Sequence, residues 1–386
     1  MQIDNTKNHQ TFGAKFTNTE TLHKVVDYAI SKNKFNKLNT ARKNIEKTDI
    51  KQYRLGSLTP HEIDDEFFEI VSNSQKFCPH FHLSIQSLCD KTLKNMNRHY
   101  KAQEVLDLID KIKKQCPDAT VLLRLRIDNS SAHVDLNKKF GAARENALAL
   151  MQQAKEAGLD MAGIAFHVGS QTVSADPYLH ALDIARELFE EAEAAGLKLR
   201  ILDVGGGFPI PEPKVKFNLP EMLRQINARL DEDFADAEIW AEPGRYICGT
   251  AVNLITSVIG VTERGGQPWY FLNEGLYGTF SGVLFDQWDF KLISFREGEE
   301  KVAATFAGPS CDSLDIMFRG RLTVPLQVGD LLLVPSCGAY TSASATTFNG
   351  FSKAKFVIWE RVKAEVEPVA AVGRVEMNQS VAQAVK

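Results

Sequence analysis

From Pro117 onward the chain repeats one unit, a short apolar run followed by a helix-length amphipathic stretch. The apolar runs are Thr120–Ile127, Met161–Phe166, residues 199–204 and Glu238–Ala241, and the stretches between them are Ala142–Ala157, Tyr178–Ala195 and Pro220–Leu230. Strands joined through a helical crossover lie parallel, and a parallel sheet needs cover on both faces. Continued alternation of this kind is the mark of a parallel barrel. After about Val261 the helical stretches stop, and short strand-like runs follow at Trp269–Asn273, Ala303–Ala307, Leu331–Pro335 and Ala354–Trp359. The expected fold is therefore α/β: a (β/α)8-type parallel barrel with an atypical N-terminal part, followed by an all-β C-terminal domain.

The third run ends in Gly205-Gly206-Gly207. Three glycines at the carboxyl end of a buried strand leave bare backbone N–H groups that can converge on an anion, the outline of a phosphate cradle. A tight turn that happens to be rich in glycine is the plainer alternative. The neighbouring runs end in polar motifs as well, His167-Val168-Gly169-Ser170 after the second and Glu242-Pro243-Gly244-Arg245-Tyr246 after the fourth. Taken singly, His167 reads as a satisfied core histidine and Glu242 as a surface or capping acid.

Three more motifs follow in order: Leu284-Phe285-Asp286, then Gly308 to Asp315 with Cys311-Asp312 at its centre, then Gly338-Ala339-Tyr340-Thr341. Together they resemble the pyridoxal-phosphate decarboxylases of the alanine-racemase-like barrel fold. Cys311-Asp312 and Phe348-Asn349-Gly350-Phe351 look like the ornithine/lysine branch of that family rather than the diaminopimelate branch. The resemblance covers about Pro117 to Glu367. It implies a pyridoxal 5′-phosphate cofactor, decarboxylation of ornithine or lysine to a diamine in polyamine biosynthesis, and a homodimer with shared active sites.

Such a cofactor works as an electron sink, and the protein must hold its phosphate, protonate its ring nitrogen, orient the ring and return a proton to the product. The resemblance gives the phosphate to Gly205, Gly206, Gly207 and Ser170, with Gly244, Arg245 and Tyr340 nearby. It sets Glu242 against the ring nitrogen, His167 on the ring face and Arg124 on the ring-hydroxyl side. Cys311 would return the proton, reaching the site with Asp312 from the other subunit, while Asp312 and Asp286 would bind the distal ammonium of the substrate. Read alone, Cys311 is a buried inert thiol. The family's cofactor-linking lysine lies on the first barrel strand, in a Tyr-Ala-Val-Lys-like motif followed by Asn and Pro. The nearest match is Phe12-Gly13-Ala14-Lys15-Phe16-Thr17-Asn18, which makes Lys15 the candidate; a surface lysine before a helix is the other reading.

Upstream of Pro117 the character changes, with Lys and Asn prominent where Ala, Gly and Glu dominate later. A helix is expected over Thr19–Ile30, a polar loop over 31–52, a strand over Arg54–Leu58, and a helix from Thr59 to Val71 with Pro60 in its first turn and Glu62 as its capping acid. His80–Ile85 alternates as a strand, and Asp90–Met96 and Gln103–Lys114 read as helices. The stretch from Arg54 to about Cys116 resembles the middle of the radical S-adenosylmethionine barrel of transfer-RNA methylthiotransferases, so the chain looks chimeric. That family's C-x-x-x-C-x-x-C triplet is missing, and its cluster chemistry does not carry over. Cys78, Cys89, His80 and His82 have no standard metal-ligand spacing, and no metal is expected.

At 386 residues two domains are the default, and the composition divides the chain into an N-terminal segment 1–116, a barrel segment 117–261, a β segment 262–368 and a tail 369–386. A net charge of −4 gives no reason to expect a nucleic-acid surface. No apolar run reaches the roughly 18 residues a membrane span needs. Met1–His9 lacks the apolar core of a signal peptide, so a cytoplasmic protein is expected. Six scattered cysteines fit reduced thiols better than a disulfide framework. Three functions remain open: the decarboxylase, a decarboxylase-like binding or regulatory protein without turnover for lack of the linking lysine, and a transfer-RNA methylthiotransferase fragment, which the missing cysteines disfavour.

Overall fold

The computed structural model describes residues 35–49, 51–60, 63–83, 85, 88–96, 98, 100–115, 119–127, 141–213, 215–298 and 300–358. Lys15, Cys116 and the helix expected at Thr19–Ile30 lie outside them, as do the side chains of His80 and His82. The chain divides into two compact units, Gln10–Lys353 and a smaller one of Met1–His9 with Ala354–Lys386. Every element named below belongs to the larger unit.

Its first described element is helix α1, Phe35–Glu46, where a polar loop is expected. Leu38 and Ile45, both buried, are its only fully buried apolar anchors among the described side chains, too sparse to read as a periodic stripe. Arg42 adds an i,i+4 pair to Glu46 at 3.0 Å. Strand β1, Tyr53–Leu58, precedes helix α2, Asp65–Ser72. That helix begins later than expected because Asp64, not a residue near Pro60, caps it: the Asp64 carboxylate accepts from the Phe67 N–H at 2.9 Å. Strand β2, Phe77–Leu83, pairs parallel with β1, and helices α3, Asp90–Asn95, and α4, Ala102–Gln115, follow. A small core of Leu38, Ile63, Phe67, Phe68, Ile70, Val71 and Leu108 holds this segment.

The repeat that begins at Pro117 then builds β3, Thr120–Arg124; α5, Arg144–Glu156; β4, Asp160–Ala165; α6, Asp176–Ala194; β5, Ile201–Asp203; α7, Leu219–Asp233; and β6, Glu238–Trp240. The four strands pair in chain order, all parallel, so their carboxyl ends share one edge. Behind the sheet Ile164, Tyr178, Leu182, Leu188 and Leu202 are sealed from solvent in one continuous core. Close packing explains Gly163, where an added Cβ would meet the Ile201 carbonyl oxygen at 1.9 Å.

The short helix α8, Gly244–Cys248, leads into a six-stranded mixed sheet. Its strands are β7, Leu254–Arg264; β8, Gln267–Leu272; β9, Ile293–Ser294; β10, Val302–Ala307; β11, Ile316–Thr323; and β12, Leu331–Val334, with helix α9, Gly282–Phe285, between β8 and β9. The sheet order is β11-β10-β8-β7-β12-β9. Strands β7, β9 and β11 were not expected from the sequence, and the strand expected at Ala354–Trp359 is absent over its described part, since residues 351–358 have no regular structure. Gly265 and Gly266, at φ +60° and +75°, make the two-residue turn of the β7–β8 hairpin. The fold is thus α/β, a parallel (β/α) barrel architecture followed by an all-β sheet. Among the described residues no helix is long and apolar enough to cross a membrane.

Candidate functional site

Each candidate side chain from the second, third and fourth runs stands just beyond the carboxyl end of β4, β5 or β6, and parallel pairing brings those ends together. Gly205 and Gly207 adopt left-handed backbone, φ +68° and +107°, which a side chain would strain. Space is lacking as well. A Cβ at Gly205 would meet the Phe166 carbonyl oxygen at 2.0 Å, one at Gly206 the Glu242 carbonyl oxygen at 2.5 Å, and one at Gly207 the Gly169 carbonyl oxygen at 2.3 Å.

Two residues with no site role assigned from the sequence fix this loop. The buried Asp203 carboxylate accepts the Gly205 N–H at 2.8 Å, and the buried Tyr178 hydroxyl donates to the Gly206 carbonyl at 3.0 Å. Gly205 therefore spends its donor inside the protein. The N–H groups of Gly206 and Gly207 donate to no protein acceptor among the described residues. An acid in an otherwise apolar strand was a readable signal for Asp203; Tyr178, 28 residues from Gly206, offered none.

His167 packs over the loop, its Nε2 lying 3.0 Å from where a Gly206 Cβ would be. The Gly169 N–H donates to its Nδ1 at 3.0 Å, so the proton of the neutral ring sits on Nε2. Burial, and then the charge of Arg124, push its pKa down to about 4 against a smaller opposing pull from Glu242. At neutral pH the imidazole is uncharged, flanked by a cation and an anion.

Arg245, 7% exposed, is held on four sides. Its Nε donates to Ser170 Oγ at 3.1 Å, its Nη2 pairs with Asp286 Oδ2 at 2.8 Å, and the rings of Trp288 and Tyr340 each lie 4.7 Å from its Cζ. Asp286 is thus bound to Arg245 by one oxygen. Its other oxygen makes no hydrogen bond among the described residues.

Cys311 and Asp312 form a second cluster. Cys311 is exposed, not the buried thiol of the plainer reading, and its N–H donates to Asn349 Oδ1 at 3.1 Å. The Asp312 carboxylate accepts from the Leu314 N–H and the Tyr277 hydroxyl, which hold its pKa below the usual range. Asp315, 3% exposed, ties the loop down by accepting from the Leu276 N–H at 2.8 Å and from the Ser310 hydroxyl at 2.6 Å. Among the described residues no group of three or more His, Cys, Asp or Glu side chains could hold a metal ion.

This donor set fits a phosphorylated aldehyde cofactor: free glycine N–H groups, a hydroxyl and a buried guanidinium for a dianion, with a flat neutral imidazole beside a carboxylate for an aromatic ring. Known proteins agree. The family described as pyridoxal-dependent decarboxylase, pyridoxal binding domain, matches residues 90–249, which reaches upstream of Pro117. The lysine/ornithine decarboxylase of Selenomonas ruminantium is 51% identical over 253 residues, 65% of this chain and 64% of that protein. The crystal structure of lysine decarboxylase from Selenomonas ruminantium is 37% identical and superposes with a TM-score of 0.66, covering 91% of this chain and 92% of that one. The lysine/ornithine decarboxylase from Vibrio vulnificus complexed with cadaverine is 30% identical, with a TM-score of 0.64 over 83% of this chain and 84% of that one. The chain belongs to the pyridoxal-dependent decarboxylase family. It spans 64%, 61% and 58% of the lengths of the first curated relatives it matches, under two thirds in each case.

Proposed function

We propose that the chain binds pyridoxal 5′-phosphate at the shared edge of β4, β5 and β6 and decarboxylates a basic amino acid, ornithine or lysine, to a diamine for polyamine biosynthesis. The observation that carries this reading is the convergence of buried Arg245, Ser170 and two unused glycine N–H groups beside a neutral histidine. When bound, the cofactor supplies the electron sink that makes loss of carbon dioxide from an amino acid possible.

The chain's own residues do the rest. Gly206, Gly207, Ser170 and Arg245 hold the phosphate, while Gly205 and Gly244 shape the seat and Tyr340 closes it. Glu242 takes the ring-nitrogen side and keeps a proton there, His167 packs on the ring face, and Arg124 takes the hydroxyl side. A neutral imidazole suits that place, because a cation there would withdraw the pyridinium proton that Glu242 stabilises. Asp286 and Asp312 receive the distal ammonium, Cys311 returns the proton after carbon dioxide leaves, and Lys15 is the linking lysine.

A head-to-tail homodimer accounts for Cys311 and Asp312 standing in a cluster of their own. Cys311 is exposed, and Leu314 in the same loop is 68% exposed, a surface that a second subunit would cover. The active site lies in the 117–261 segment, with Asp286, Cys311, Asp312 and Tyr340 supplied by 262–368. A cytoplasmic location and a methylthiotransferase-like origin of the segment from Arg54 to about Cys116 complete the reading, although the decarboxylase match from residue 90 overlaps the later part of that segment and speaks against the origin there.

The test is direct. Incubation with pyridoxal phosphate, borohydride reduction and peptide mapping should place a pyridoxyl group on Lys15, and ornithine or lysine should yield carbon dioxide and the matching diamine. Cofactor retained without labelling of any lysine, and with no diamine formed, would leave a binding protein in place of an enzyme.

A further inference from the structure

Arg245 is fixed by groups that come from a sharply turned segment, Asp286-Gln287-Trp288. Gln287 has left-handed backbone, φ +52°, uncommon for a residue with a Cβ. The N–H groups of Asp286 and Trp288 both donate to the Gly282 carbonyl at 3.0 Å. The turn therefore presents residues 286 and 288 to the same guanidinium, the carboxylate on Nη2 and the indole ring under Cζ. Tyr340, which supplies the other ring, also has positive φ, at +52°. Two strained positions converging on one side chain point to a function that holds them there.

We infer that Trp288 is a positioning residue that stacks on Arg245 and aims its guanidinium at the cofactor phosphate. The inference rests on the reading above, in which Arg245 is a phosphate ligand. Trp288 is 3% exposed and is itself braced edge-on by Phe290, with ring centroids 6.3 Å apart at 71°. Phe290 in turn meets Phe280 at 90°, so the indole stands on a rigid aromatic floor. A guanidinium packed against two aromatic rings keeps its charge and its donors while losing the freedom to swing. Ser170 and Asp286 take Nε and Nη2, and Nη1, with no hydrogen-bond partner among the described residues, can face an anion.

The experiment compares equilibrium binding of pyridoxal phosphate with that of pyridoxal, which lacks the phosphate. Trp288→Leu should cut the preference for the phosphorylated form roughly tenfold, and Trp288→Phe, which keeps a ring, about threefold or less. Phe306→Leu, in the core of β10 with its ring on Tyr270 and away from the Arg245 cluster, serves as the packing control, expected to lower thermal stability while leaving the preference unchanged. A second measurement needs no cofactor. The Arg245 Nε–H resonance, assigned by its loss in Arg245→Lys, should be sharp and slow to exchange in the wild type and Phe306→Leu, and broadened in Trp288→Leu.

An unchanged preference in Trp288→Leu, or equal weakening of both ligands, overturns the inference. So does a sharp Arg245 signal in that variant. A wild-type protein with no preference for the phosphorylated form removes Arg245 from phosphate binding, and that failure is visible before any variant is made.

Discussion

The β1–β2 segment and the β3–β6 arc share a grammar of parallel strands and covering helices, yet they are built to different tolerances. Around β1 and β2 a small core centred on Phe67 does the holding, and its helices bury one stripe each. Around β3 to β6 a larger, solvent-free core stands behind loops in which three successive glycines leave no room for a methyl group. One region needs only to fold; the other must also keep a fixed surface at its carboxyl edge. Packing precision of the second kind marks sites rather than scaffolds.

The largest break in that comparison should come from Gly205→Ala. Its Cβ would lie 2.0 Å from a backbone oxygen at φ +68°, so stability should fall by about 3 kcal/mol or more and cofactor affinity at least about 100-fold. Normal equilibrium binding by this variant would show that the glycine edge is not the seat. Next comes Phe67→Ala, in the separate core of the other region. Hydrogen exchange in α2 should speed up by the equivalent of about 3–5 kcal/mol while cofactor affinity moves less than about threefold. Coupled loss of both would mean that the two regions unfold as one.

Acid should discriminate between them more gently. His167 has an ordinary value of 6.5 when unfolded and about 4 in the fold, so the unfolded chain binds the extra proton between those values. Stability is then fully present above about pH 6.5 and falls as pH drops toward 4, by on the order of 1–3 kcal/mol. Denaturant melts of His167→Gln should show a flatter pH profile over that window; an identical slope would assign the acid loss elsewhere. The smallest effect belongs to Asp64→Ala, which removes the α2 cap and should cost about 1 kcal/mol without touching the site, measured by denaturant melts and cofactor titration.

Legibility followed the same division. The glycine run and the polar motifs at His167 and Glu242 stood out because strand ends in a βα repeat meet at one edge, while the roles proposed for His167, Ser170 and Arg245 came from the family resemblance. Tyr178 and Trp288 did not stand out, since the first acts across 28 residues and the second through a left-handed turn at Gln287 that no local pattern announces. Asp286 was proposed as a site residue from the resemblance, but its ion pair with Arg245 had no signal in the sequence. Helix α1 escaped because two buried anchors seven residues apart fall below the density at which a helical stripe stands out. Strand β7 escaped although Gly265-Gly266 is a hairpin signal, because Ile255, Ile259 and Val261 are exposed and blur the alternation by which a half-buried strand is recognised.

That hairpin tip has a practical side. Nothing lies within 4 Å of where a Cβ would sit at either Gly265 or Gly266, so the turn is set by its own backbone and by no neighbour. Replacing either glycine would strain the left-handed backbone, but lengthening the connection between them would disturb only solvent. A fluorophore-bearing peptide or a short affinity sequence spliced between those glycines gives an attachment point on the β sheet, far in sequence from the glycine edge, for immobilising the protein or following it by light.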